Sequence, residues 1–157
     1  MKENPLVAVS NHRVYFEIAQ EALAKSESLS RRQRKKSPGG STLIIHDPRQ
    51  RSFKQALIAI AFAGIYLEAV LHLEGSRRLG IKAYEKIDKS RYEDKLKVLG
   101  FNTADLLADC KRFRESRRAL EHEKAFHPRS RRETKIAQVE AAHALAFVER
   151  VRDVLAT

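Results

Sequence analysis

Apolar positions recur at steps of three and four along most of the chain, which is the spacing of amphipathic helices and not of strands. The first such run covers residues 5–29. Tyr15, Ile18, Ala22 and Leu29, with Ala19 and Leu23 beside them, make one face of it. Pro5 suits an early start to this helix and Asn11 a late one. A second run, from Pro48 to about Leu73, is the most apolar: after Ala56, the stretch LIAIAFAGIYLEAVL carries a single charge, Glu68. Asp47 as N-cap and Pro48 at the first helical position mark where it begins. Gly75 and Gly80 bracket a turn, and residues 81–99, with Tyr84, Ile87, Tyr92, Leu96 and Leu99, hold one or two short helices. Gly100 ends them, and Asn102 or Thr103 caps a helix running from Thr103 to His127. A final stripe of Ala137, Ala141, Ala144, Val148, Val151 and Leu155 predicts a helix over residues 133–155.

The pattern predicts an all-α fold, an antiparallel bundle of four to five helices formed by residues 1–157 as one domain. Only Thr42 to Ile45 reads as a short extended piece, and no internal repeat is visible. The apolar run after Ala56 is shorter than the roughly 18 to 20 residues a membrane span needs. It also contains Glu68, so a central buried helix is expected and no membrane partner.

Residues 30–42 interrupt the periodicity. Arg31, Arg32, Arg34, Lys35 and Lys36 are followed by Pro38, Gly39 and Gly40, with no apolar anchor between them. A flexible basic loop is expected, either a solvated linker or an arm that contacts phosphates. Composition sharpens that choice. The 157 residues include 31 Lys and Arg against 20 Asp and Glu, a net charge of +11. Such a balance points to nucleic acid first and to an anionic membrane surface second. The apolar content of 43% is ample for a packed core. Cys110 is the one cysteine, which excludes an intramolecular disulfide. Leu6 to Val9 is too short for the apolar part of a secretory leader, so a reducing, cytoplasmic setting is expected.

Two charged residues violate the helical pattern. In the Thr103–His127 helix, Leu106, Cys110, Phe113 and Leu120 share a face with Arg117. A guanidinium on that face needs a buried acid, a cleft edge or a route for its stem to water. In the apolar helix, Glu68 lies on one side with Ala61, Ile65 and His72, so its carboxylate is expected among apolar neighbours and in need of a cation. Pairing Glu68 with Arg117 satisfies both, with His72 as a possible third member; the alternative is that each finds water or a backbone group.

The remaining chemistry gathers on the same helix. Arg114, Arg118 and His122 share a face, and Glu115 and Glu121 are placed to tune the imidazole. Histidine beside guanidinium groups suits phosphodiester cleavage, because the imidazole moves a proton while arginine holds the phosphate. Tyr84 and Tyr92 could stack on bases, although tyrosines at this spacing also serve as partial core. No HExxH pair, thiolate set, glycine-rich phosphate loop or G-x-S-x-G elbow is present, so no metal or cofactor is expected.

FKQALIAIAFAGIYLEAVLH, followed later by FRESRRALEHEKAFH, resembles the HEPN domain family across most of the chain from Arg51 to Leu155. That family is an all-helical bundle with an acidic position in an apolar helix. A later helix carries arginine, a polar residue, three more residues and then histidine. Here those positions read Arg117-Arg118-Ala119-Leu120-Glu121-His122. The resemblance implies a homodimer that brings two Arg–His motifs into one basic cleft, and metal-independent endoribonuclease chemistry of the toxin or phage-defence type. It assigns phosphate binding to Arg117 and proton transfer to His122. Arg118 replaces the usual Asn, Asp or His. Glu68, His72 and Glu121 would support the site, and Arg31, Arg32, Arg34, Lys35, Lys36 and Arg114 would bind RNA. Other family members are non-catalytic modules that bind RNA or a partner, and a cognate antitoxin or nucleotidyltransferase-type partner is a further implication.

Overall fold

In a computed structural model the described residues are 10–32, 34–36, 38–40, 42–44, 49–121 and 137–156. They form α1 (His12–Arg32), β1 (Arg34–Lys36), β2 (Thr42–Ile44), α2 (Arg51–Leu79), α3 (Ile81–Glu85), α4 (Tyr92–Val98), α5 (Ala104–Glu121) and α6 (Ala137–Leu155). The described part is a helical bundle with one small hairpin. The second helix starts at Arg51, after Gln50 in a left-handed conformation with φ of 49°, and not at Pro48 as expected. Asp47 and Pro48 themselves, residues 133–136 and the stretch from His122 to His127 lie outside the described residues.

The long apolar helix α2 is central, packed most extensively on α1 and then on α6. Small residues make this possible: Ala19 and Ala22 on α1, Ala56, Ala59 and Ala63 on α2, and Ala137, Ala141 and Ala144 on α6 are all buried. Close backbone approach follows from their size, with Leu67, Leu71, Val148 and Val151 filling the space between. At one end two buried serines clasp α1 to α2. The Ser26 hydroxyl donates to the Ser52 carbonyl and the Ser52 hydroxyl to the Ser26 carbonyl, each at 2.9 Å. Gln138 of α6 adds a third bond, its Nε2 donating to Ser52 Oγ at 3.2 Å. Every hydroxyl in this buried knot has a partner, which removes the cost of placing serine in the core.

The paired positions fix the chain directions. Ser26 meets Ser52 while Phe16 meets Tyr66, so α1 and α2 are antiparallel. Asp109 meets Arg150 and Arg112 meets Glu140, so α5 and α6 are antiparallel too. Ser52 meets Gln138 and Arg78 reaches the Leu155 carbonyl, so α2 and α6 run parallel. The expected antiparallel bundle is thus antiparallel in its α1–α2, α1–α6 and α5–α6 pairs and parallel in the α2–α6 pair.

Three local expectations need correction. The basic segment after α1 is not an irregular loop throughout. Arg34–Lys36 pairs antiparallel with Thr42–Ile44, Arg34 opposite Ile44, and Gly40 takes a positive φ of 80° in the turn. Its composition hid this, because strand pairing here is satisfied by backbone bonds that need no apolar face. Second, α2 does not stop before Gly75. It continues to Leu79 and ends at Gly80, with φ of 85°. Gly75 stays helical because the Tyr84 ring lies on it: a Cβ there would come within 2.1 Å of the ring. Third, the buried line of α1 runs through Phe16, Ala19, Ala22 and Ser26, one step round from Tyr15 and Ile18, which are only half-buried.

The α2 helix is also long and apolar enough, by length and composition, to cross a membrane. Half of its most apolar window is buried inside the fold, and its outward face carries the exposed Ile58 and Ile65.

Candidate functional site

Leu106, Cys110 and Phe113 of α5 are buried as the periodicity predicts, and Arg117 continues their line. Its guanidinium escapes the core at the point where α2 offers no side chain. A Cβ on Gly64 would stand 2.7 Å from Arg117 Nη1, so the group lies flat against the α2 backbone. One turn further along α2 is Glu68, and Arg117 Nη1 donates to Glu68 Oε1 at 2.7 Å. The expected pair therefore forms.

Its surroundings are not those expected. The Glu68 side chain is 51% exposed and Arg117 20%. Ile65 and His72, on the same face, are exposed as well. This side of α2 points outward, so the pair lies at the molecular surface and not inside the core. Tyr92, at the start of α4, completes it: its hydroxyl donates to Glu68 Oε1 at 2.5 Å and accepts from Arg117 Nη1. Burial opposes ionisation of Glu68, but the hydrogen bonds from Tyr92 and Arg117, with the Arg117 charge, outweigh it and hold the carboxyl below the usual range.

The next residue of α4 repeats the device. Glu93 accepts from Arg114 Nε at 3.1 and 3.3 Å through its two oxygens. The first turn of α4 thus holds two arginines of α5, three positions apart. Arg114, expected to contact nucleic acid, is half-buried and ion-paired to Glu93. Arg118 is exposed and makes no ion pair with a described residue. His72 does not join the cluster; its ring meets Tyr84 edge-on at 5.3 Å. Tyr84 is fully buried and cannot stack on a base, and burial pushes its phenol up to about 12. His122 and the side chain of Glu121 lie outside the described residues.

The basic arm is not part of this cluster. Arg31 and Arg32 are exposed at the end of α1, and Arg34, Lys35 and Lys36 form β1. That end of α1 packs beside Ser52, and Ser52 to Gly64 spans about 18 Å along α2 at 1.5 Å per residue.

A second polar cluster, with no counterpart in the sequence reading, joins α5 to α6. Glu140 accepts from Arg112 Nη2 at 3.0 Å and from the buried Ser116 hydroxyl. Beside it, Arg150 Nη1 donates to Asp109 Oδ2 at 2.7 Å. Cys110 is buried nearby, and burial lifts its thiol to about 12, so it is neither nucleophile nor ligand at neutral pH. Among the described residues no group of three or more His, Cys, Asp or Glu side chains is placed to hold a metal ion.

Sequence reasoning missed Gly64, Tyr92 as a bridge, Glu93 and the Ser116–Glu140 contact. Gly64 had a signal: a glycine inside a strong helix, one turn before the anomalous Glu68, marks close approach by another group. The others required knowing where α4 and α6 lie. No family model, curated protein or solved structure matches the chain.

Proposed function

We propose that this protein is a metal-independent endoribonuclease of the HEPN type, related to toxin or defence systems and acting as a homodimer. The observation that supports this reading best is the pinned guanidinium of Arg117. It is held from two directions by Glu68 and Tyr92, at the surface, five positions before His122. A cation fixed before substrate arrives stabilises developing phosphate charge without reorganising during the reaction. In this reading the RNA 2′-hydroxyl loses its proton to a histidine base and its oxygen bonds to the adjacent phosphorus. The P–O5′ bond breaks, and the departing oxygen takes up a proton. His122 serves the proton transfers, Arg117 the phosphate, and Glu68 and Tyr92 the orientation of Arg117. Exposed Ile58 and Ile65 run along α2 toward Glu68 and would supply the apolar part of the dimer contact. A cognate antitoxin or nucleotidyltransferase-type partner belongs to the same reading.

A second reading, a non-catalytic module that binds RNA or a partner protein, is favoured by one fact. Arg114 and Arg117 are both neutralised by carboxylates, which leaves less charge for RNA. The two separate in a single assay, cleavage of a labelled structured RNA in EDTA by wild type and His122→Ala. The enzyme reading expects wild-type products ending in 2′,3′-cyclic phosphate, and a loss of at least about 100-fold in the variant. Linear 3′-hydroxyl ends or a metal requirement overturn it. Binding without cleavage by either protein assigns the second reading.

A further inference from the structure

On the other side of α2 a cleft of about 420 Å³ opens between the start of α1, the middle of α2 and the end of α6. Its size falls in the range of small-ligand sites, roughly 300 to 1,000 Å³. Tyr66 and Val70, which line it, are turned roughly 200° around the helix from Gly64 and Glu68, the positions that meet Arg117. The cleft is therefore separate from the site above.

Its floor is aromatic. The Phe16 and Tyr66 rings pack at 5.0 Å between centroids, and both are buried. The Arg152 guanidinium lies over Phe16, 5.2 Å from the ring centre. Asp153 fixes it there, accepting from Nε at 3.0 Å and Nη2 at 2.9 Å through one carboxylate oxygen. A guanidinium seated over one ring can also stack against a second planar ring. Two more groups converge. Arg13 is exposed and has no ion-pair partner among the described residues. His12 lines the same cleft, and its buried Nδ1 has no hydrogen-bond partner. A buried polar atom in that state costs free energy unless a ligand supplies the bond. The first turn of α1, which starts at His12, carries no acidic residue, so its positive dipole end is not neutralised locally. Burial raises the pKa of the Tyr66 hydroxyl, which is thus a neutral donor.

We propose that this cleft binds a nucleoside monophosphate, its base stacked on Arg152 and its phosphate held by Arg13 and His12. Two acids line the cleft: Glu74 of α2 is held by Arg77 and Arg78, and Glu17 of α1 would repel a simple anion but accepts a hydrogen bond from an exocyclic amino group of a base. That combination selects a planar, amino-bearing ring joined to a phosphate over either part alone.

The test is calorimetric titration of the full-length protein with AMP, adenosine and inorganic phosphate. AMP is expected to bind at least tenfold more tightly than adenosine or phosphate. Arg13→Ala changes an exposed side chain and so leaves folding intact; it should weaken AMP about tenfold, while Lys25→Ala, a charge loss elsewhere on α1, should leave AMP binding unchanged. No AMP binding at millimolar concentration, equal affinity for AMP and phosphate, or equal effects of the two substitutions would each overturn the proposal. The readout is binding, so the result stands whether or not the protein cleaves RNA.

Discussion

Glu68 and Glu140 both reach α5 from another helix and both hold an arginine there, yet Glu68 keeps 51% of its side chain exposed and Glu140 only 8%. The difference lies in what else each carboxylate touches. Glu140 meets the buried Ser116 hydroxyl as well as Arg112, so it satisfies a polar group that no water can reach. Glu68 meets Tyr92 and Arg117 on an outward face, where water can replace either contact. The first arrangement holds the α5–α6 interface together. The second orients a cation while contributing little to stability, which is the division of labour expected between a structural contact and a site.

Breaking the buried member should have the largest effect. Glu140→Ala removes from a buried position the carboxylate that the Ser116 hydroxyl and Arg112 share. A loss of about 2–3 kcal/mol follows, or roughly 5–10 °C in Tm for a chain of this size, read by thermal circular dichroism. A loss below about 1 kcal/mol would mean that the two clusters do not differ in kind.

Glu68→Gln should cost less than about 1 kcal/mol at neutral pH, because the pair is half in water. Its signature is the pH dependence. The folded-state pKa of Glu68 is lowered, so the stability it adds is fully present above the ordinary glutamate value near 4.3 and is lost as pH falls through the lower folded value. The Tm gap between wild type and Glu68→Gln should therefore be largest at pH 7 and close below about pH 4. A gap that widens on acidification would contradict the depressed pKa.

The smallest effect on stability sharpens the comparison most. In Gly64→Ala the new Cβ collides with the guanidinium of Arg117, the far end of a flexible side chain, which can move aside. The helix-propensity gain of about 1 kcal/mol offsets that displacement, so Tm should change little. The Arg117 side-chain Nε–Hε resonance should nevertheless shift, and RNA cleavage or binding that depends on Arg117 should fall. An unmoved resonance would show that Gly64 is not the bed of the guanidinium.

The pairing of Glu68 with Arg117 was readable before any fold was known, because a lone acid in one apolar helix and a lone arginine on another helix's apolar stripe each lack a local remedy. Its exposure was not. Ala61, Ile65, Glu68 and His72 share a face, but α2 is apolar nearly all round, so periodicity could not say which face meets α1 and α6. The same ambiguity shifted the buried line of α1 from Tyr15 to Phe16, since both residues are aromatic and adjacent. For the short elements, composition misled for a different reason. The run from Arg34 to Lys36 has no apolar side chain to reveal a strand whose pairing is made by backbone groups. Gly75 reads as a turn until Tyr84 is seen lying on it.

The order and type of the long helices, the small-residue seams that let them approach and the two charges in need of partners were determined by the sequence alone, through helical spacing and the cost of desolvating charge. Only the tertiary structure decided which face of α2 is outward, that α4 supplies Tyr92 and Glu93 to the arginines of α5, and that Glu140 meets Ser116. Those contacts join residues at least 20 positions apart, and no local preference encodes which distant surface a helix will meet.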